Sequence, residues 1–125
     1  DVLLNVESSH CYGDVDAFFG EVSRVLRPTG HFAIADFRTP EEMDGVAAKL
    51  AELPGFRVLE SVDITERVVA ALSSDDARKR QLIEEIISPR LRHLFGEFAG
   101  LSGGRMFTSL QKREMVYHRF LLQKC

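Results

Sequence analysis

Glu21-Val22-Ser23-Arg24-Val25-Leu26-Arg27-Pro28-Thr29-Gly30-His31-Phe32-Ala33-Ile34-Ala35-Asp36-Phe37 changes period half-way along. Before Pro28, the apolar residues Val15, Phe18, Phe19, Val22, Val25 and Leu26 recur at helical spacing, and Asp14 stands where it can cap the first turn. Pro28-Thr29-Gly30 stops that helix. His31 to Phe37 then runs apolar as far as Asp36, the pattern of a parallel strand covered on both faces. A helix feeding such a strand is half of a βαβ unit, so a parallel strand is expected upstream.

Val2 to Val6 supplies it, a short branched run followed by the polar loop Glu7 to Gly13. Chain ends usually lie at the surface, so a strand beginning almost at the first residue raises the expectation that more chain precedes it. Downstream, Thr39-Pro40-Glu41-Glu42 reads as a helix start, with Thr39 as cap, Pro40 at the first helical position and Glu42 able to complete a capping box. Met43, Val46, Ala47, Leu50 and Leu53 make its buried stripe, and Pro54-Gly55 ends it. Phe56, Val58, Val62 and Ile64 alternate with Arg57, Ser61 and Asp63, as in a half-exposed edge strand. From Glu66 to Gly100 the pattern is helical but interrupted at Ser73-Ser74-Asp75-Asp76 and Ser88-Pro89. Leu82, Ile83, Ile86 and Ile87 form one apolar face there, and Leu91, Leu94, Phe95 and Phe98 another. Gly100 to Gly104 is a loop. Met115 to Leu122 closes the series as a strand with apolar residues of both parities, expected to be covered on both faces. The order β-α-β-α-β, helical insertion, β predicts an α/β sheet in one partial domain: strands and helices over 1–64, an insertion over 65–104 and a last-strand region over 105–125.

The chain has 125 residues, 45% hydrophobic and 28% charged, with a net charge of −3 and both signs interspersed. That balance excludes an electrostatic case for nucleic acid or for an anionic membrane surface, and leaves a small neutral or apolar ligand open. No apolar run is long enough to span a bilayer. The two cysteines, Cys11 and Cys125, form no CxxC and no zinc spacing, which points to a reducing, cytoplasmic setting and to no metal. Arg78-Lys79-Arg80 reads as a solvated helix face balanced by Asp75, Asp76, Glu84 and Glu85, and Phe95, Phe98 and Phe107 read as core.

Asn5-Val6-Glu7-Ser8-Ser9-His10-Cys11-Tyr12 and the segment EVSRVLRPTGHFAIADF (21–37) resemble class I S-adenosylmethionine-dependent methyltransferases. The second segment is similar to their helix between strands four and five plus strand five, with Thr29 in place of the first of two glycines that usually follow the proline. NVESSHCY and ADFR are similar to mycobacterial and actinomycete enzymes that methylate phthiotriol-type lipids, fatty acids or natural products. The resemblance implies a C-terminal half of a Rossmann-like sheet, strands 4-5-7-6 with the last antiparallel, and a lid-like insertion before that strand. It implies S-adenosylmethionine as cofactor and, as acceptor, a hydroxyl or carboxyl oxygen of a lipid or small natural product. The glycine loop after strand one and the acid ending strand two have no counterpart here, since no Gly-x-Gly-x-x-Gly occurs.

Ligands of open α/β sheets sit beyond the carboxyl ends of the strands. Asn5, Val6 and Glu7 fall at one such end and are the residues expected to face the cofactor. Asp36 falls at the neighbouring end, with His10 in the loop between. Methyl transfer to a hydroxyl needs a proton removed as the oxygen attacks, and imidazole suits that task. The resemblance implies an acceptor-site role for His10 and Asp36, as general base and orienting partner. Plainer roles stand beside these: His10 as a cap or loop anchor, Asp36 as a cap of the next turn, Glu7 as a solvated acid, and Cys11 as a packing residue. The competing function is a non-catalytic remnant serving as a binding or assembly module, with strand 1–6 self-associating or pairing with a separate N-terminal half through its edge.

Overall fold

Asp14 and Thr39 start the two helices that build the main core. The Asp14 side chain accepts the Ala17 N–H and opens α1 (Val15–Val25). Thr39 and Glu42 form the expected capping box at α2 (Pro40–Ala51), each side chain satisfying the other's backbone N–H, with Pro40 in the first turn. The computed structural model describes all residues, Asp1–Cys125. Besides these helices it contains β1 (Val2–Val6), a 3-10 turn (Ser9–Cys11), β2 (His31–Arg38), β3 (Phe56–Asp63), α3 (Thr65–Ser74), α4 (Asp76–Ile86), α5 (Arg92–Phe98), α6 (Arg105–Gln111) and β4 (Val116–Lys124). The chain divides into two compact units, Asp1–Ile64 with Val116–Cys125, and Thr65–Met115.

The first unit holds one sheet of order β1-β2-β4-β3. β1 and β2 run parallel, from Val2 opposite His31 to Val6 opposite Ala35, while β4 lies antiparallel to both β2 and β3. This is the 4-5-7-6 arrangement with an antiparallel last strand. Phe19, Val22 and Leu26 of α1 and its C-cap, with Met43, Val46 and Leu50 of α2, pack on Phe32, Ile34, Phe120 and Leu122. Burial alternates along β2: Phe32, Ile34, Asp36 and Arg38 are buried and the residues between them half-buried.

The expectation that β2 and β4 are covered on both faces is therefore corrected. Within this unit the helices cover one face only. On β1 the side chains of Val2, Leu4 and Val6 are 67%, 71% and 61% exposed. A shallow depression of about 270 Å³ on the uncovered side is lined by Leu4, Val6, Ala33, Ala35 and Leu121, among others. β3 is the edge, as its alternation predicts. The ladder slips between Val58 and Glu60, so Leu59 is an extra residue. A one-residue bulge reverses the side-chain parity. It explains why Val58 pairs with buried Leu122 while Val62 pairs with exposed Arg119. Thr29 adopts φ +64 in the turn before β2. That region is strained for a β-branched side chain, which gives a physical reason for the glycine usual there in the resembling enzymes.

The second unit is helical. The interruption expected over Ser73-Ser74-Asp75-Asp76 is a break at Asp75 alone, between α3 and α4, and Ser88-Pro89 falls between α4 and α5. Arg78 pairs with Asp75 and Arg80 with Asp76, each at 2.6 Å, as expected of a solvated face, but Lys79 turns to the Ala99 carbonyl. α6 was not foreseen, and the unit runs on through Met115. Phe107 is buried with Leu110, whereas Phe98, expected in the core, is 91% exposed. No helix is long and apolar enough to cross a membrane.

Candidate active site

β1 and β2 are parallel neighbours, so their carboxyl ends and the segment after β1 come together. The 3-10 turn folds Ser9 and His10 back against Asp36. The Asp36 carboxylate accepts the Ser9 hydroxyl at 2.5 Å and the His10 backbone N–H at 3.0 Å on Oδ2. Its Oδ1 accepts the Phe37 N–H at 3.0 Å and lies 2.7 Å from His10 Nδ1. Arg38 Nη1 stands 3.5 Å from Oδ2. Burial pushes the Asp36 carboxyl upward, but the hydrogen bonds from Ser9, His10 and the Phe37 N–H, with the charge of His10, outweigh it and hold the group below the usual aspartate value. Asp36 is thus ionised at neutral pH. Its side chain is 6% exposed and that of His10 28%, so the imidazole reaches solvent while its anchor does not. The ring rests on Phe37, centroids 4.4 Å apart.

An acceptor-only carboxylate at hydrogen-bond distance requires the hydrogen on Nδ1. In the neutral ring Nε2 then carries the lone pair, on a side chain that is partly open to solvent. Such an imidazole can take a proton, and the carboxylate behind it stabilises the resulting charge.

The other predicted positions differ among themselves. Asn5 is buried; its amide donates to the Tyr12 hydroxyl at 2.8 Å, and its Oδ1 has no partner. The Val6 side chain lies on the uncovered face of the sheet. Glu7 sits in the left-handed region at φ +48, its N–H bonded to the Ala35 carbonyl. A non-glycine residue held there costs about 1–3 kcal/mol, a strain that concentrates at functional sites. Its carboxylate is engaged by the Tyr117 hydroxyl at 2.8 Å. Burial and the Glu7 bond raise the Tyr117 hydroxyl well above its usual value, with the charges of Glu7 and Asp36 adding to the shift, so it remains a donor. Glu7 is therefore not a free solvated acid. His10 does not cap α1, because Asp14 does so itself. Cys11, expected to pack, is exposed.

Ser9, Arg38, Tyr12 and Tyr117 were not singled out in the sequence. Arg38 carried a signal: it shares the parity of Phe32, Ile34 and Asp36 along β2, and a charge on the buried parity calls for a partner. Tyr117 carried none, lying on a strand distant in sequence. No group of three or more His, Cys, Asp or Glu side chains is placed to hold a metal ion.

No family model matches the chain. The phthiotriol/phenolphthiotriol dimycocerosates methyltransferase of Mycobacterium tuberculosis (strain ATCC 25177 / H37Ra) is 36% identical over 124 residues, covering 99% of this chain and 46% of that protein. The fatty-acid O-methyltransferase of Mycolicibacterium smegmatis is 28% identical over 124 residues, covering 99% and 44%. An O-methyltransferase from a trans-AT PKS multienzyme of Brevibacillus brevis, solved with S-adenosyl-L-homocysteine, superposes with a TM-score of 0.68 at 18% identity over 100% of this chain and 44% of that one. The chain is similar over nearly its whole length to part of these methyltransferases, and its sheet has the fold of the C-terminal half of a class I S-adenosylmethionine-dependent methyltransferase. It spans about half the length of the relatives it matches. In that fold, β1, β2, β4 and β3 take the places of strands four, five, seven and six.

Proposed function

We propose that this chain supplies the acceptor side of an S-adenosylmethionine-dependent O-methyltransferase, with His10 as general base and Asp36 as its anchor. The observation that carries the reading is the 2.7 Å contact of His10 Nδ1 with an ionised, buried Asp36, which leaves Nε2 for a substrate proton. A carboxyl acceptor is already ionised at neutral pH and needs no base, so the pair favours a hydroxyl. The names of the sequence relatives suggest a lipid or small natural product as its bearer.

The cofactor, when bound, supplies an electrophilic methyl group on a sulfonium. The unpartnered Asn5 Oδ1 is a buried acceptor at the carboxyl end of β1, and it fits a ligand donor such as an ammonium or an amino group. Glu7 keeps its backbone turn and offers its second carboxylate oxygen at the same strand end. Asn5, Val6 and Glu7 would thus border the cofactor on this side. His10 Nε2 takes the acceptor's hydroxyl proton as the oxygen attacks, and Asp36 stabilises the imidazolium that forms. Tyr117 holds Glu7 in place and moves no proton.

The glycine loop and ribose-binding acid that the resemblance implies would be supplied by an N-terminal half of the fold that lies outside these 125 residues. That half would pair with the free edge of β1 and cover Val2, Leu4 and Val6. Without it the chain is expected to be inactive. In an enzyme assembled from this chain and a cofactor-binding half, His10→Ala should lower turnover by about 10²–10⁴-fold with little change in cofactor affinity. Unaltered turnover would remove His10 as the base. Failure of every assembly to transfer a methyl group would favour the alternative, a remnant that serves as a binding or assembly module through the same edge.

A further inference from the structure

We infer that Arg38 and Ser9 are positioning residues that set the direction of a proton chain ending at His10, and so fix which imidazole nitrogen is basic. The inference rests on His10 acting as the base and says how the fold prepares it. Guanidinium has donors and no acceptor. Arg38 Nη2 donates to Ser9 Oγ at 3.0 Å, so the Ser9 hydroxyl accepts there and spends its one hydrogen on Asp36 Oδ2 at 2.5 Å. The His10 and Phe37 backbone N–H groups add fixed donors, one to each carboxylate oxygen. Every hydrogen around Asp36 therefore points inward. A proton on Asp36 itself would have to displace one of these donors, so the contact with His10 is made as Nδ1–H.

The burial of this chain is otherwise hard to account for. Ser9, Asp36 and Arg38 are 2%, 4% and 9% exposed, on the side of β2 that carries Phe32 and Ile34. An apolar residue at position 38 would satisfy the packing without the desolvation of a guanidinium. Arg38 also bonds the Phe37 carbonyl and Ser9, so its orientation is fixed rather than solvated. What the charge adds is a terminal donor that can never reverse. Remove it, and the Ser9 hydroxyl can turn away, so that the carboxylate loses a donor that fixes its orientation and an imidazole released from Oδ1 is free to carry its hydrogen on Nε2.

The test reads the tautomer directly and needs no turnover. In the ¹⁵N-labelled 125-residue chain at about pH 8.5, where a free imidazole is neutral, long-range ¹H–¹⁵N correlation distinguishes Nδ1–H from Nε2–H rings. His10→Gln identifies the signal of His10 among the four histidines. The unaltered chain should show the Nδ1–H form alone. Arg38→Met and Ser9→Ala should each give a mixture with the Nε2–H form prominent, and Ser9→Thr, which keeps the hydroxyl, should restore the original pattern. An unchanged Nδ1–H ring in either folded variant, or an Nε2–H ring in the unaltered chain, overturns the inference. Ser9→Ala decides the matter if Arg38→Met does not fold. A tautomer that responds as expected while His10→Ala leaves turnover intact would sink only the assignment of His10 as base.

Discussion

The two faces of the sheet are built from the same strands and have met different fates. On one, Phe32, Ile34, Phe120 and Leu122 lie under α1 and α2 and are almost fully buried. On the other, Val2, Leu4 and Val6 are as apolar as their neighbours one residue away, and the unit's own helices do not reach them. Strand side chains alternate between faces, so adjacent residues of similar hydrophobicity report on separate environments. An apolar face without cover marks a surface shaped for contact. Sequence relatives about twice this length are consistent with a contact made by the rest of such a protein.

The sharpest way to break the comparison is to empty the covered face. Phe32→Ala should cost about 3–5 kcal/mol, because it removes a fully buried ring and leaves a cavity beside Phe18 and Phe19 of α1. Chemical denaturation of the variant against the unaltered chain measures it, and a loss within about 0.5 kcal/mol would mean that α1 and α2 do not hold this face in solution.

Acid addresses the polar end of the same covered face. Asp36 has a depressed folded-state value, so its contribution is present above the unfolded aspartate value of about 3.9 and is lost as pH falls through the folded one. The denaturation midpoint should therefore fall from neutral pH towards about pH 3, and by less in Asp36→Asn, which has no carboxyl to titrate. Equal acid sensitivity in both proteins would show that Asp36 is not ionised by its surroundings.

The smallest effect on stability belongs to the uncovered face. Leu4→Lys should change folding free energy by no more than about 0.5 kcal/mol, since Leu4 is already in water. Its effect should appear in association. The unaltered chain is expected to self-associate through β1 at micromolar concentration, and the lysine to disperse it. Sedimentation showing a stable monomer for the unaltered chain would mean that the apolar edge is tolerated alone.

The local devices were legible because each is written within a few residues. Asp14 as cap, Thr39 with Glu42 as capping box and the alternation of β3 all depend on neighbours in sequence. α6 was not legible, since seven residues with no side-chain cap are too few to display a helical period. Cover on one face rather than two was not legible either, because an apolar residue looks the same whether this chain or another segment packs on it. Of the site, His10 and Asp36 could be named from motif and strand end. The Ser9 and Arg38 bonds depend on a turn folding back across 26 to 29 positions, and no local pattern encodes that.

The place of β4 between β2 and β3 has a consequence for synthesis. β3 touches the sheet only through β4, which is made after the whole of α3 to α6. At about 5–20 residues per second, an emerging β3 waits roughly 3–12 s for its only hydrogen-bonding partner. The C-terminal end of α1 waits longer still, because the Lys124 ammonium donates to the Ser23 and Leu26 carbonyls there. On the ribosome, the parallel pair β1–β2 can form early, but β3 is an orphan in need of shielding, and the sheet closes only once β4 has been made.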